Sequence, residues 1–333
     1  VSDTLAATVA GLRRFLAEHW ETPVEISDER AASAGARRLN LLFTAHRPDR
    51  DDRLVATILP TAALQIVDIE VEAANLRLAE AAGVPVPHVV TSTTDDSYVG
   101  GPFIVATAID GETVPRRVLR LVEADPALGP HLARQCGAAL ARLHLADPNE
   151  CHPGVARIEP GSTPVTIALA RLREQLDDLL QPSAAFELGY RKLVDSAPDD
   201  DRVTVVHNDF RNGNLVIGPD GLRAVLDWEA SGLGAPMGDL AWMCVRMWRF
   251  GNDELPVGGF ADVADLRAGY EDAGGRWDGD AFHWWQVLGS LRWGVGLANQ
   301  ARQHLDGEFR SIVMAGSGRR IAEMEYDVLC LIA

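Results

Sequence analysis

The stretch His207-Asn208-Asp209-Phe210-Arg211-Asn212-Gly213-Asn214-Leu215-Val216-Ile217-Gly218-Pro219-Asp220-Gly221-Leu222-Arg223-Ala224-Val225-Leu226-Asp227-Trp228-Glu229 decides how the rest of the chain is read. It is a β-type island in a half of the chain otherwise dominated by helical spacing. Gly218-Pro219-Asp220-Gly221 reads as a tight turn between two short strands, residues 214–217 and 222–226. A hairpin returns the end of its second strand beside the start of its first, so Asp227 falls next to Asn214, with Asp209 one loop away. Two carboxylates and an amide oxygen converging at such a junction make a hard-oxygen site suited to Mg²⁺ and phosphates. Single Asp residues usually shape turns or cap strands. Four polar positions in register with an intervening hairpin, His207 included, are too many for that reading.

Outward from the island, the organisation changes once. Residues 2–20 place Leu5, Val9, Leu12 and Leu16 at helical spacing behind Ser2 or Asp3 as a cap. β-type runs follow at 38–45, 53–59, 88–92 and 103–109, with the polar stretch 47–53 as a hairpin loop. A helix-like segment, 62–82, interrupts them and is stopped by Gly83, Pro85 and Pro87. Beyond Asp110-Gly111 helical spacing takes over, at 131–144, 167–180, 184–196 and most of 239–331. The change carries no Ser/Pro/Gly run, so it is a change of architecture rather than a flexible linker. The expected fold is α+β and bilobal: a small antiparallel-sheet lobe with one crossing helix (1–107) and a larger, mostly helical lobe (108–333).

Composition narrows the function. The chain has 333 residues, 47% of them hydrophobic, with 31 Lys+Arg against 48 Asp+Glu, a formal net charge of −17. That charge repels nucleic acid and anionic membranes at long range, while leaving room for a local basic pocket. Only one of the basic residues, Lys192, is a lysine. Cys136, Cys151, Cys244 and Cys330 lack CxxC spacing and read as free thiols of a reducing cytoplasm. No apolar run is long enough to span a bilayer. A P-loop is excluded for want of a suitable lysine, and no G-x-S-x-G elbow occurs. His207-x-Asp209 has no second histidine at metallohydrolase spacing, and Cys151-His152 beside Pro153-Gly154 reads as a loop.

H-x-D-x-x-x-x-N followed by Asp after a hairpin is the catalytic-loop and metal-aspartate pattern of kinase-like phosphotransferases. The wording His207-Asn-Asp-Phe-Arg-Asn-Gly-Asn214, Val225-Leu-Asp-Trp-Glu229 and Gly238-Asp-Leu-Ala-Trp242 resembles the aminoglycoside phosphotransferase / choline kinase-like superfamily. Within it, the resemblance is to the kinase-like domain branch of acyl-CoA dehydrogenase family members 10 and 11. Pro85-Val-Pro87, Gly100-Gly-Pro-Phe103, Asp110-Gly111, Leu140-Ala-Arg-Leu-His144 and Arg292-Trp-Gly294 extend it over nearly the whole chain. The resemblance implies a protein-kinase-like fold with ATP in the cleft and a small-molecule hydroxyl as acceptor. It implies Asp209 as the base for that hydroxyl, Arg211 reaching the γ-phosphate, and Asn214 and Asp227 holding Mg²⁺. His207 would organise the loop, Asp239 tie its backbone down, and Glu229 serve the metal's outer sphere or an ion pair. The backbone of Thr107 to Ile109 would meet adenine.

The pattern departs from such kinases in the small lobe. They hold the α/β-phosphates with a strand Lys or Arg paired to a helix Glu. Here Thr57 stands where the basic residue is expected, Glu72 matches the helix glutamate, and only Gly35 sits where a Gly-rich loop would be. Arg37, Arg38 or Arg53 could supply the charge from a neighbouring strand or loop. Otherwise the chain is a nucleotide-binding pseudokinase or regulatory module with a degenerate small lobe. Most tryptophans from 242 to 293 should be core, with one or two lining an acceptor pocket. Arg246 and Arg249 read as an ion-paired face or, alternatively, as anion recognition on the acceptor. A polycationic aminoglycoside acceptor would suit the chain's acidity, whereas the resemblance to the dehydrogenase-associated branch implies a hydroxyacyl or other catabolic metabolite rather than an antibiotic. Net charge does not choose between them, since a pocket's local field can oppose the global one.

Overall fold

A computed structural model describes residues 2–34, 38–59, 68–200, 202–308 and 310–333. Helix α1 (Ser2–His19) leads into β1 (Glu25–Ala34), β2 (Leu39–His46) and β3 (Asp51–Ile58), then α2 (Ile69–Ala81), β4 (Val89–Thr93) and β5 (Phe103–Thr107). These strands form one antiparallel sheet in the order β1-β2-β3-β5-β4. Period-2 alternation decides which side chains face which way. Leu41, Phe43, Ala45, Leu54, Ala56, Phe103 and Val105 are buried against Leu12 and Leu16 of α1. The opposite face carries Asn40, Thr57, Ile104 and Ala106, and its Ile104 and Ala106 join the main core with α2.

The larger part is helical, as the spacing predicts. It contains α3 (Pro115–Ala124), α4 (Leu128–His144), α5 (Pro164–Asp177), α6 (Ala184–Asp195), α7 (Pro236–Met243), α8 (Val263–Asp272), α9 (Gly279–Leu305), α10 (Ile312–Ser317) and α11 (Ile321–Ile332). The island supplies β6 (Thr204–Val206), the hairpin β7 (Leu215–Gly218) and β8 (Gly221–Val225), and β9 (Gly232–Gly234). β6 pairs with β9, and Gly218 faces Gly221 across the expected two-residue turn. Helix α9, 27 residues long, runs between α6, α7 and α11. No described helix is long and apolar enough to cross a membrane.

Three differences from the sequence reading have physical causes. β1 is an edge strand whose Glu-Ile-Ser-Asp-Glu-Arg sequence carries charge rather than alternating apolar residues, a common protection of sheet edges. α3 starts with Pro115 at its first turn and buries only Val118. α2 begins at Ile69, capped by Asp68, whose side chain accepts from Glu70 N at 2.8 Å. The first residues of the expected 62–82 helix, like Gly35 and Arg37, lie outside the described residues.

Backbone bonds tie the sheet to the helical part. Glu112 exchanges hydrogen bonds of 2.8 and 2.9 Å with Ile217 of β7, and Val225 N donates to Pro85 O at 2.8 Å. Arg53 clasps Asp110 at 2.7 and 2.9 Å beside that junction. Helices α4 and α8 approach through two glycines. A Cβ on Gly137 would meet Leu266 O at 2.1 Å, and one on Gly269 would meet Arg134 O at 2.0 Å. Alanine at 137 gains roughly 1 kcal/mol of helix propensity but forces two backbones apart, which costs about 1–3 kcal/mol or more. Gly137→Ala is therefore expected to lower stability in a denaturant titration, whereas the same change at exposed Gly316, which meets nothing within 4 Å, should not.

Candidate active site

β6 delivers the chain to His207, which is fully buried. Asp209 N–H donates to its Nδ1 at 3.2 Å, and its Nε2–H donates to Leu226 O at 3.0 Å. With both ring nitrogens engaged, the imidazole joins the loop to the end of β8 and has no proton to exchange with a substrate. Asn208 then turns the chain with φ 64°, which frees the successive amides of His207 and Asn208 from any strand. The carboxylate of Asp239, in the first turn of α7, takes both at 2.6 Å. His144 of α4 meets the same carboxylate through Nε2 at 3.3 Å and accepts from the Tyr270 hydroxyl of α8 through Nδ1 at 3.0 Å. Burial alone would raise the Asp239 pKa. Hydrogen bonds from His144 and from the His207 backbone amide hold it below the ordinary carboxylate range.

The Asp209 carboxylate is held from three sides. Trp242 Nε1 donates to Oδ1 at 2.8 Å, Arg211 Nε to the same oxygen at 3.0 Å, and Asn214 Nδ2 to Oδ2 at 2.7 Å. Asn214 Nδ2 also donates to Asp209 O at 2.9 Å, so its Oδ1 is not spent on Asp209. Leu226 N donates to Asn214 O at 2.8 Å, which draws Asp227 alongside. Asp227 sits in the left-handed region (φ 66°, ψ 65°), an unusual conformation costing about 1 kcal/mol. Its carboxylate is reached by solvent from the cleft yet hemmed in by protein. That surrounding protein, with the Glu229 and Asp209 charges, pushes its pKa up, and the Arg38 charge offsets only part of the rise.

One crowded carboxylate, Asp227, and one amide oxygen uncommitted among the described residues, Asn214 Oδ1, match the partial donor set Mg²⁺ takes when phosphate oxygens complete its sphere. Among the described residues no group of three or more His, Cys, Asp or Glu could hold a metal by itself.

The small-lobe residues meet this centre from above. Glu72, on α2 and 5% exposed, finds its partner in Arg38, just before β2: Arg38 Nη1 lies 2.9 Å from Glu72 Oε1 and Nη2 lies 2.6 Å from Glu229 Oε2. Glu229 is thus in an ion pair. Thr57 is neutral, and its hydroxyl donates to Asn40 Oδ1 at 2.8 Å. Thr107 N is spent on His88 O and Ala108 N on Arg53 O, both at 2.9 Å, which leaves the Ile109 amide as the uncommitted donor of that segment among the described residues.

Spacing alone gave no role to Trp242 or Arg292. Trp242 lies three residues after Asp239 on α7, on the same helical face, and that interval was the available signal. Arg292 of α9 is half-buried, donates to Asn208 O at 3.0 Å and stacks over Trp242 at 3.9 Å. Arg211 stacks over Trp248 at 4.4 Å. Trp242, Trp248 and Trp293 pack together, with ring centroids 4.7–6.1 Å apart. Trp248 and Trp293 also line a cavity of about 430 Å³, together with basic and acidic residues. Arg246 there is ion-paired to Asp253 and Asp327, and Arg249 serves the backbone carbonyls of Cys244 and Asp253, so neither is offered to an acceptor.

A model of the "Phosphotransferase enzyme family" matches residues 28–285. Acyl-CoA dehydrogenase family member 10 from Mus musculus is 28% identical over 210 residues, 58% of this chain and 18% of that protein. Family member 11 from Gallus gallus is 32% identical over 167 residues, 48% of this chain and 21% of that protein. The matches therefore span about a fifth of these relatives. Among solved structures, a Ralstonia eutropha protein classed with the aminoglycoside phosphotransferases superposes with TM-score 0.75 at 23% identity, covering 97% of both chains. An aminoglycoside phosphotransferase in complex with AMP-PNP and hygromycin B superposes with TM-score 0.63 at 16% identity, again covering 97% of each. The shared fold is the bilobal kinase-like one.

The raised pKa of Asp227 has a sign that can be tested. Its ionisation is easier in the unfolded chain, so folding loses stability as pH rises from the ordinary carboxylate range through the raised value. Asn removes that charge and is tolerated in the left-handed region. Asp227→Asn is expected to raise the Tm of the ligand-free protein at pH 7 by a few degrees, with the gain fading towards pH 4.

Proposed function

The chain belongs to the phosphotransferase enzyme family, and from that premise and the site's geometry we propose that it transfers the γ-phosphate of ATP, with Mg²⁺, to a hydroxyl group of a small molecule. The observation that carries this reading is the Asp209 carboxylate, fixed by Trp242, Asn214 and Arg211, with Asp227 drawn alongside Asn214. Asp209 is placed to take the acceptor's hydroxyl proton as its oxygen bonds to the γ-phosphorus and ADP leaves. Mg²⁺ on Asn214 Oδ1 and Asp227 would neutralise charge on the phosphates. Arg211, braced between Asp209 and the face of Trp248, can turn its remaining N–H groups to the transferring phosphoryl oxygens. The amide of Ile109 and the carbonyls beside it are what the junction offers adenine. His207 and Asp239 act through the loop they hold. Four unpaired cysteines fit a reducing cytoplasm.

The aromatic-walled cavity is the acceptor pocket in this reading. Arg116, Arg246 and Arg320 line it along with Asp253, Glu323 and Asp327. Three positive charges thus meet three negative ones, without the surplus of carboxylates a polycationic antibiotic calls for. Arg116 has no ion pair among the described residues. Indole faces plus one spare guanidinium suit an uncharged or singly anionic hydroxylated metabolite with an apolar body. A hydroxyacyl compound fits that description, and the likeness to proteins named acyl-CoA dehydrogenases points the same way. The rival reading, a nucleotide-binding module without turnover, draws on the neutral Thr57 of β3.

The test pairs binding with turnover. Mg·ATP should stabilise the wild type, by about 2.7 kcal/mol at a hundredfold excess over Kd, and lose that effect with EDTA or in Asp227→Asn. Asp209→Asn should keep nucleotide binding while ADP release, assayed over hydroxy acids, their thioesters and aminoglycosides, falls by roughly 10²–10⁴-fold. Tight nucleotide binding with no acceptor-dependent ADP release from the wild type would hand the chain to the module reading.

A further inference from the structure

Kinase-like sites need a cation on the α/β-phosphates, and β3 offers none at the expected position: Thr57 is neutral and hydrogen-bonded to Asn40. The cross-strand register shows where the charge has gone. Asn40 pairs with Thr57 and Leu39 with Ile58, so Arg38, two residues before Asn40, lies on the same face of the sheet as Thr57 and diagonal to it. Diagonal neighbours on one face are about 7–8 Å apart, within reach of a long side chain. That face is the one turned away from α1 and towards α2 and the island.

The surroundings of Arg38 are more than those of a structural ion pair. Its side chain is 11% exposed and contacts Glu72 at 2.9 Å and Glu229 at 2.6 Å, and Glu229 is two residues from Asp227. The guanidinium has five N–H donors, and these pairs use two nitrogens. Nε of Arg38 and Oε2 of Glu72 are buried without a hydrogen-bond partner among the described residues. A deeply placed, fixed guanidinium with donors to spare, beside the Asp227 segment, matches what a polyphosphate binds. The other described candidates are placed elsewhere, Arg37 lying outside the described residues. Arg53 is clasped to Asp110, and Lys192 lies on α6.

We propose that Arg38 is the residue that holds the α/β-phosphates of the nucleotide, delivered from the start of β2 instead of from β3, with Glu72 fixing its orientation and Glu229 linking it to the Asp227 segment. Resting on the phosphotransferase reading, this explains how a chain with neutral Thr57 at the expected β3 position keeps a phosphate clamp.

The experiment measures the Kd of Mg·ATP and of adenosine by calorimetry on the full chain, for wild type, Arg38→Met, Arg38→Lys and the double variant Arg38→Met/Thr57→Lys. Loss of a charge-assisted phosphate contact is expected to weaken ATP at least about tenfold in Arg38→Met, with adenosine unchanged. Arg38→Lys should recover part of the loss. The double variant should recover it too, because a lysine at 57 reaches the same phosphates from the diagonal position. A purely structural Arg38 would instead weaken both ligands alike, and Thr57→Lys would rescue neither; that result overturns the proposal. So does an Arg38→Met variant that binds ATP as tightly as wild type. Wild-type protein that binds no ATP removes the phosphotransferase reading and this inference together.

Discussion

Two adjacent backbone amides, those of His207 and Asn208, point the same way because the chain enters the left-handed region at Asn208, and both donate to the single buried carboxylate of Asp239. Everything at the site depends on that grip. Without it two N–H groups would be buried unsatisfied, at about 1–3 kcal/mol each, and the loop carrying Asp209 would lose its anchor. The carboxylate can stay charged because His144 faces it, and Tyr270 fixes the His144 ring in turn. Three helices, α4, α7 and α8, therefore contribute to the position of one loop. Since the Asp239 pKa is held low, its stabilisation is present above the ordinary carboxylate range and fades only as pH falls through the depressed value.

A second constraint is the layer of arginines on indoles. Arg292 covers Trp242, and Arg211 covers Trp248, so the base is backed by a planar stack instead of by flexible ammonium groups. The partial burial of Arg292 lowers its pKa through desolvation, partly offset by the Asp209 and Asp239 charges, which keep a cation welcome there. A chain with a net charge of −17 thus sets two guanidinium groups against the loop that carries Asp209. The same preference for arginine appears above the cleft, at Arg38.

How far the sequence could be read follows from which signals are local. The hairpin is legible because Gly218-Pro219-Asp220-Gly221 dictates its turn, and turn geometry fixes which residues lie opposite. The convergence of Asp209, Asn214 and Asp227 follows from it. The antiparallel sheet with a crossing helix is legible from alternation and from the Gly83–Pro87 stop. Edge strand β1 is not, since charged edges hide the period-2 pattern. Nor does the sequence choose among Arg37, Arg38 and Arg53, because what singles out Arg38 is its partnership with Glu72, 34 residues away, and a strand register that no local pattern encodes. The ion pairing of Arg246 belongs to the same class, since its partner Asp327 lies 81 residues on.

Having Lys192 as its single lysine, on α6 and away from the cleft, gives the molecule an unusual chemical profile. Reagents that find nucleotide sites by acylating or forming imines with an amine depend on a lysine poised beside the phosphates. Here the nearest nitrogen is a guanidinium that stays protonated and is poorly nucleophilic at any biological pH. Such reagents would pass this cleft over, and a chain surveyed by amine labelling would be scored as having no nucleotide site at all. Dicarbonyl reagents, which condense with guanidinium groups, are the covalent chemistry to which this architecture is open.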